Sequence, residues 1–512
     1  MHPLCVGIDV GTSAIKAVAV NQRGDAIASE VVEYDFETPA PGWAETDPEV
    51  WWKATCAVLR QLMRDPRVAG APILSLGVSG QMHGLVLVDA DNAPTGPALM
   101  WNDQRTDTVC LQAEREITAA NIWQWTGNRM LSGFTAPKLL WLRAHAPERL
   151  HRARTLLLPK DFVRLRLTGA AHTDVSDASG TLLFDCANRC WSRTMCEALA
   201  VDTNLLPEVF ESSTATSRVH AAGALATGLP IGTPVAAGAG DQAAQAVGTG
   251  IVNEGCIACT IGTSGVVFAP TNSWRPTDDG VLHAFCHAIP QRWHLMGVTL
   301  SAGGSLRWWR DTMCADLVAR ALMLQCDPYE LMLAEAALVA PGCEGVTFLP
   351  YLCGERTPHA DPHARGVFLG LSARTTRGHL TRAIIEGVIC SLAEVMRLVQ
   401  STGASSTTLR LSGGGSKSPL IRSLITQACG MRSATVNQPH GAAYGSALLA
   451  GVSSGVWNSV EAATATLAEE NRCAPIDAPR EFEAIATRYA RAYHALAPWF
   501  RECAAPSARH RN

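Results

Sequence analysis

The sequence predicts an α/β protein made of two large, related domains. Its 512 residues exceed what one hydrophobic core serves. Apolar runs of strand length alternate with helical patterns along the whole chain. An opening strand–turn–strand pattern around Gly11-Thr12-Ser13 restarts at Gly262-Thr263-Ser264. Apolar residues make up 47% and charged residues 17%, an ordinary globular balance. A net charge of −4 gives no pull toward nucleic acid or an anionic membrane surface. No run approaches the roughly 18–20 apolar residues of a membrane helix. Met1-His2-Pro3-Leu4 shows no basic region ahead of an apolar stretch, so no secretory signal is read. The 17 cysteines are odd in number and scattered, which suits reduced thiols in a cytoplasmic protein.

The first strand is expected over 4–8, ending in Asp9. Gly11-Thr12-Ser13 turns the chain into a second strand over 14–20, with Lys16 on one face, and a third follows over 26–31. The first turn is either an ordinary hairpin or a cradle of N–H and hydroxyl groups for phosphate. Asp47-Pro48 starts a helix as cap and first-turn residue. Strands over 74–78 and 85–88 flank Ser79-Gly80-Gln81-Met82-His83-Gly84, a polar loop suited to a ligand. His83 is either a ligand contact or a satisfied structural residue. Trp101-Asn102-Asp103-Gln104-Arg105 reads as a sugar wall or as a helix start capped by Asp103. A helical run follows Gly133-Phe134-Thr135-Ala136-Pro137-Lys138, and residues 173–180 read as a polar loop. A buried strand over 234–238 leads to Gly240-Asp241-Gln242 and a helix from Ala243. Asp241 at that switch is either an N-cap or a group pointed into a crevice.

The domain boundary is placed near 250, giving domains 1–249 and 250–503 and a tail 504–512. Cys256-Ile257-Ala258-Cys259 has the spacing of a metal half-site, but it lies in a strand, where positions three apart face opposite sides. Without a second half-site it is read as structural, as are Cys186, Cys190 and Cys196. Gly413-Gly414-Gly415 lies between a strand and a helix capped by Ser418-Pro419 and stopped by Gly430. Strand, glycine loop and helix N-terminus suit a nucleotide; the other reading is a flexible turn. A small-residue helix follows over 441–447, and a last helix over 481–500.

Together these pieces resemble the FGGY carbohydrate kinases of the actin/hexokinase ATPase superfamily, over nearly the whole chain. The downstream signature is carried by Gly366-Val367-Phe368-Leu369-Gly370-Leu371, His379-Leu380 and Ala383-Ile384-Ile385-Glu386. The upstream one, around Lys138-Leu139-Leu140-Trp141, departs at Ala144. Within the family, Gly80 to Gly84, Trp101 to Arg105, Leu158-Pro159-Lys160-Asp161 and Leu349 to His359 are similar to the branch acting on D-xylulose. Gln242 stands where that branch commonly has Asn.

The resemblance implies two actin/hexokinase-like (ribonuclease H-like) ATPase domains with an interdomain cleft. It implies transfer of the γ-phosphoryl group of ATP to the 5-hydroxyl of D-xylulose, with Asp241 as general base and Asp9 holding Mg²⁺. Met82, His83, Trp101, Asn102, Asp103, Arg105 and Gln242 would bind the sugar. Thr12, Ser13, Lys16, Thr263, Ser264, Gly303, Arg307, Gly413, Gly414 and Gly415 would bind ATP. A homodimer is compatible with the resemblance. The alternatives are a kinase of the same family for another ketose or a polyol, and a non-catalytic sugar- or nucleotide-responsive protein on the same fold.

Overall fold

A computed structural model describes residues 2–475 and 479–504. The chain forms two compact α/β units, each discontinuous in sequence. The first runs up to Asn253 and adds Pro270–His294 and Gln438–Ala468; the second takes Glu254–Ala269, Leu295–Asn437 and the described residues from Glu469. A single cut near 250 therefore misses two segments that return to the first unit. The expected tail beyond Ala504 lies outside the described residues.

In the first unit, seven strands form one sheet. Its path is Ala215–Arg218, Pro234–Ala236, Ile73–Gly80, Leu4–Val10, Ala14–Asn21 and Ala26–Glu33, and Ala239–Gly240 also pairs with Ile73–Gly80. Leu4–Val10 is buried along its length except at Asp9, as expected of a strand covered on both faces. It runs antiparallel to Ala14–Asn21 and parallel to Ile73–Gly80. Helix Pro48–Arg64 begins as expected: Asp47 accepts the Glu49 N–H at 3.0 Å, and Trp51, Val58, Leu59 and Leu62 enter the core.

Helix Gly441–Ser453 belongs to this unit because glycines let it touch backbone. A Cβ on Gly7 would stand 1.9 Å from the Ala443 carbonyl oxygen, and one on Gly77 2.1 Å from that of Ser446. On its other side, a Cβ on Gly445 would stand 1.8 Å from the carbonyl oxygen of Ala244, in helix Asp241–Gly248. Backbone cannot yield there as a flexible side chain can. Gly445→Ala is therefore expected to cost about 3 kcal/mol, the upper end for overpacking, read as a lower urea midpoint with unchanged slope.

The second unit repeats the opening topology. Gly255–Ile261 runs antiparallel to Gly265–Thr271 and parallel to Ser406–Ser412. Arg432–Val436 then adds in parallel and Glu469–Cys473 antiparallel. Cys256 is half-buried and Cys259 buried, in keeping with opposite faces of one strand. All 17 cysteines are unpaired. No helix among the described residues is long and apolar enough to cross a membrane.

Candidate active site

Asp9 and Asp241 both lie at carboxyl ends of strands flanking Ile73–Gly80. Asp9 is in register with Ser79 on one side, and Ala239 and Gly240 pair with Ser79 and Gly80 on the other. Carboxyl ends of parallel strands are where α/β sheets hold ligands. Gly240, not Asp241, is the N-cap; Asp241 is the first residue of helix Asp241–Gly248, so its carboxylate is not used as the cap. A Cβ on Gly240 would meet Met82 Cγ at 2.9 Å, so a side chain there would displace Met82.

The two carboxylates influence each other. Each is partly exposed, yet enough protein surrounds it for burial to dominate its titration. Burial raises the pKa of Asp9 above the usual carboxylate range, against the Ser79 hydroxyl, which donates at 2.9 Å, and the charge of Lys16. Burial and then the negative charge of Asp9 raise Asp241 to about 7, against hydrogen bonds from Gln242. The folded state thus holds its proton more tightly than the unfolded chain. The ionised pair costs stability as pH rises from the ordinary carboxylate range through about 7.

Asp9, a hard oxygen donor with a second carboxylate nearby, suits Mg²⁺, which binds one or two carboxylates and fills its shell with water and phosphate oxygen. No group of three or more His, Cys, Asp or Glu able to hold a metal occurs among the described residues. The donor set fits Mg²⁺ arriving with a nucleotide better than a closed protein cage.

The first hairpin is braced from beneath. The Gly11 carbonyl accepts from Tyr34 Oη and, at 3.1 Å, from Gln81 Nε2. Thr12 Oγ1 receives the Trp101 indole N–H at 3.0 Å, Ser13 is exposed, and Lys16 Nζ donates to the Pro439 carbonyl at 2.9 Å. Met82 is buried and His83 half-buried on the next loop. His83 Nδ1 lies 2.7 Å from the Gly180 carbonyl, which can only accept, so Nδ1 carries the proton and the ring is oriented. Its carbonyl receives Thr135 at 3.1 Å and Lys138 at 2.8 Å. His83 is held at φ 68°, a strained region for a side-chain-bearing residue.

The Trp101 to Arg105 stretch divides. The helix starts at Asp107, so Asp103 is not its cap. Asp103 is fully buried, accepts the Ala44 N–H at 2.7 Å and pairs with Arg105 at 2.7 Å. Arg105 also pairs with Glu45 at 2.6 Å and lies 3.7 Å over the Trp43 ring. These two form an internal clamp. Trp101 remains 39% exposed beside the hairpin, and Asn102 Oδ1 is a buried acceptor with no hydrogen-bond partner.

The second unit gathers its own predicted groups. The N–H groups of Gly303 and Gly304 donate to the Gly262 and Thr263 carbonyls at 2.8 and 3.0 Å. Cβ atoms on Gly413 and Gly415 would strike Ile261, the residue before the hairpin, while Gly414 faces open space. Thr263 and Arg307 are exposed and Ser264 half-buried. Ser418 caps Pro419–Cys429 by accepting the Ile421 N–H at 3.4 Å, and Gly430 ends it in the left-handed region at φ 63°. Hairpin, glycine loop and the start of helix Gly303–Met313 therefore converge.

Ser79, Gln81, Ser176 and Gly180 were not among the residues expected to act, yet they hold those that were. The signal for Ser79 and Gln81 was their place beside Met82; Ser176 and Gly180 lay in a segment read only as polar. A surface cavity of about 560 Å³, lined by Glu49, Trp52, Arg166 and His220 among others, contains none of these groups.

Residues 4–248 match the N-terminal domain, and residues 257–454 the C-terminal domain, of the FGGY family of carbohydrate kinases. The chain is 39% identical over 427 residues to the xylulose kinase of Escherichia coli (strain K12), covering 83% of this chain and 85% of that protein. It is 36% identical over 456 residues to the xylulose kinase of Bacillus subtilis (strain 168), 89% of each. A crystal structure of a xyloylose kinase from Brucella ovis superposes with a TM-score of 0.89 at 34% identity, covering 97% of this chain and 100% of that one.

Proposed function

Since the chain belongs to the FGGY family of carbohydrate kinases, we propose that it transfers the γ-phosphoryl group of ATP to D-xylulose, yielding D-xylulose 5-phosphate and ADP. The observation that most supports this chemistry is the placing of Asp9 and Asp241 at the ends of the two strands that flank Ile73–Gly80, beside the Met82-His83 loop. Asp241 accepts the proton of the 5-hydroxyl as its oxygen bonds to phosphorus and the bond to the ADP oxygen breaks. Its raised proton affinity makes it a competent base near neutral pH. Mg²⁺, held by Asp9, supplies charge neutralisation at the phosphates when bound. Met82, His83, Gln242 and the unsatisfied Asn102 Oδ1 orient the sugar, with Trp101 at its edge. Asp103 and Arg105 shape that edge from within.

Thr12, Ser13 and Lys16 meet the transferred phosphoryl group. Thr263, Ser264, Gly303, Arg307 and Gly413 to Gly415 hold the nucleotide, with the glycines letting it approach the backbone. Dependence on ATP and 17 unpaired cysteines support a cytoplasmic setting. Phosphorus NMR of the product should show one sugar monophosphate, esterified at the 5-oxygen; phosphate at another carbon would refute the proposed orientation.

Two further outcomes follow. With Mg-ATP saturating, kcat/KM for the sugar should rise with pH and level off as Asp241 ionises, with a limb that burial holds above the ordinary carboxylate range. An ordinary carboxylate would place that limb near pH 4. His83→Ala should raise the sugar KM up to about tenfold, the worth of one hydrogen bond, and move the ATP KM less. Steady-state kinetics with each substrate varied in turn reads this; a larger change in the ATP constant would give His83 another role.

A further inference from the structure

Residues 173–180 read as a polar loop in the sequence; Thr173 through Gly180 are buried, and Asp174, Ser176 and Asp177 have no exposed surface. The segment forms a short helix, Val175–Ala178, running into a 3₁₀ turn, Ser179–Thr181. It reaches two parts of the active site. The Gly180 carbonyl orients the His83 ring at 2.7 Å. Ser176 Oγ accepts the N–H of Gly240, the residue preceding Asp241, at 3.1 Å.

The direction of this second contact is fixed. Asp174 Oδ2 accepts the Ser176 hydroxyl at 2.6 Å, the Ser176 N–H at 2.8 Å and the Ser212 hydroxyl at 2.8 Å. Its other oxygen lies 2.9 Å from the buried ammonium of Lys160. The Ser176 proton is therefore committed to Asp174, and a lone pair faces Gly240. Gly240 is thereby fixed on two sides, by its pairing with Gly80 and by Ser176. Asp241 starts its helix from that anchor with no side-chain cap to hold it.

We infer that Ser176 is a positioning residue for Asp241, aligned by the buried Lys160–Asp174 pair, so that the 173–180 segment sets the angle from which the base meets the sugar. This rests on the proposed role of Asp241. General-base transfer needs hydrogen-bond reach and alignment, and a small misplacement is costly. A serine that only closed a buried turn would affect stability and leave the chemistry alone.

A double-mutant cycle on the full-length protein separates the two. Ser176→Ala should lower kcat about tenfold, with the sugar KM changed less than threefold. In an Asp241→Asn background the same substitution should change kcat less than twofold, because its target is gone. Ser176→Thr, which keeps the oxygen, should recover most of the lost kcat. If Ser176→Ala does not fold, Ser176→Cys keeps the volume with a weaker acceptor and should show the same pattern. An equal loss in both backgrounds, or no loss in the otherwise unaltered protein, would overturn the inference. Asp241→Asn alone reports on the base, so a failure there is read separately from a failure of Ser176.

Discussion

Asp241→Asn is expected to lower kcat at least about a hundredfold, in line with general-base contributions, while sugar binding persists. A sugar hydroxyl is scarcely ionised at neutral pH, so the forming bond to phosphorus needs an acceptor for its proton. Asparagine keeps the shape at the first position of helix Asp241–Gly248 and removes that acceptor. The loss cannot be blamed on unfolding. Burial and Asp9 already disfavour the ionised side chain, so removing its charge relieves the folded state. Above pH 7 the melting temperature should stay level or rise. Retention of most of the original kcat would place the base elsewhere.

Lys160→Met is expected to destabilise the protein by about 3–5 kcal/mol, the cost of breaking a buried ion pair from one side. The Lys160 ammonium lies 2.5 Å from Asp161, 2.9 Å from Asp174 and 3.6 Å from Asp177, all without exposed surface. Burial lowers the pKa of this lysine, but the three carboxylates outweigh it and hold the group charged. Removing it leaves Arg164 as the other buried cation near Asp161 and Asp174. Asp177, which burial already pushes well above its usual range, would then lose the cation that opposes this and bind its proton still more tightly folded than unfolded. The deficit should be greater at pH 8 than at pH 5, because stability falls with rising pH when the native state holds more protons. Urea unfolding at both pH values measures it. A loss under about 1 kcal/mol, independent of pH, would mean the cluster is better solvated than its burial indicates.

The repeated hairpins were legible because Gly-Thr-Ser between apolar runs is a local signal, and strand order bears it out in each unit. The glycine loop with its Ser418 cap and Gly430 stop was legible for the same reason. What escaped was long-range. The small-residue composition of Gly441–Ser453 announced close packing, but its partners, Gly7 and Gly77, are set by the fold. Asp103 and Arg105 looked like ligand groups because their mates, Glu45 and Trp43, lie on an earlier segment. The 173–180 segment, read as a polar loop, holds a short buried helix, and its burial was not legible because the cation that permits it comes from helix Pro159–Thr168. Asp241 was legible as a strand-to-helix switch residue; that Gly240 takes the cap and leaves its carboxylate unused there was not.

The most direct test of the whole account is sugar-dependent ADP release by the purified chain with Mg-ATP, measured across D-xylulose, its epimers, ribulose, deoxy sugars and polyols. The account predicts the highest kcat/KM with D-xylulose and little ADP release without sugar. A higher kcat/KM with ribulose or a polyol, or ADP release indifferent to any sugar, would contradict it.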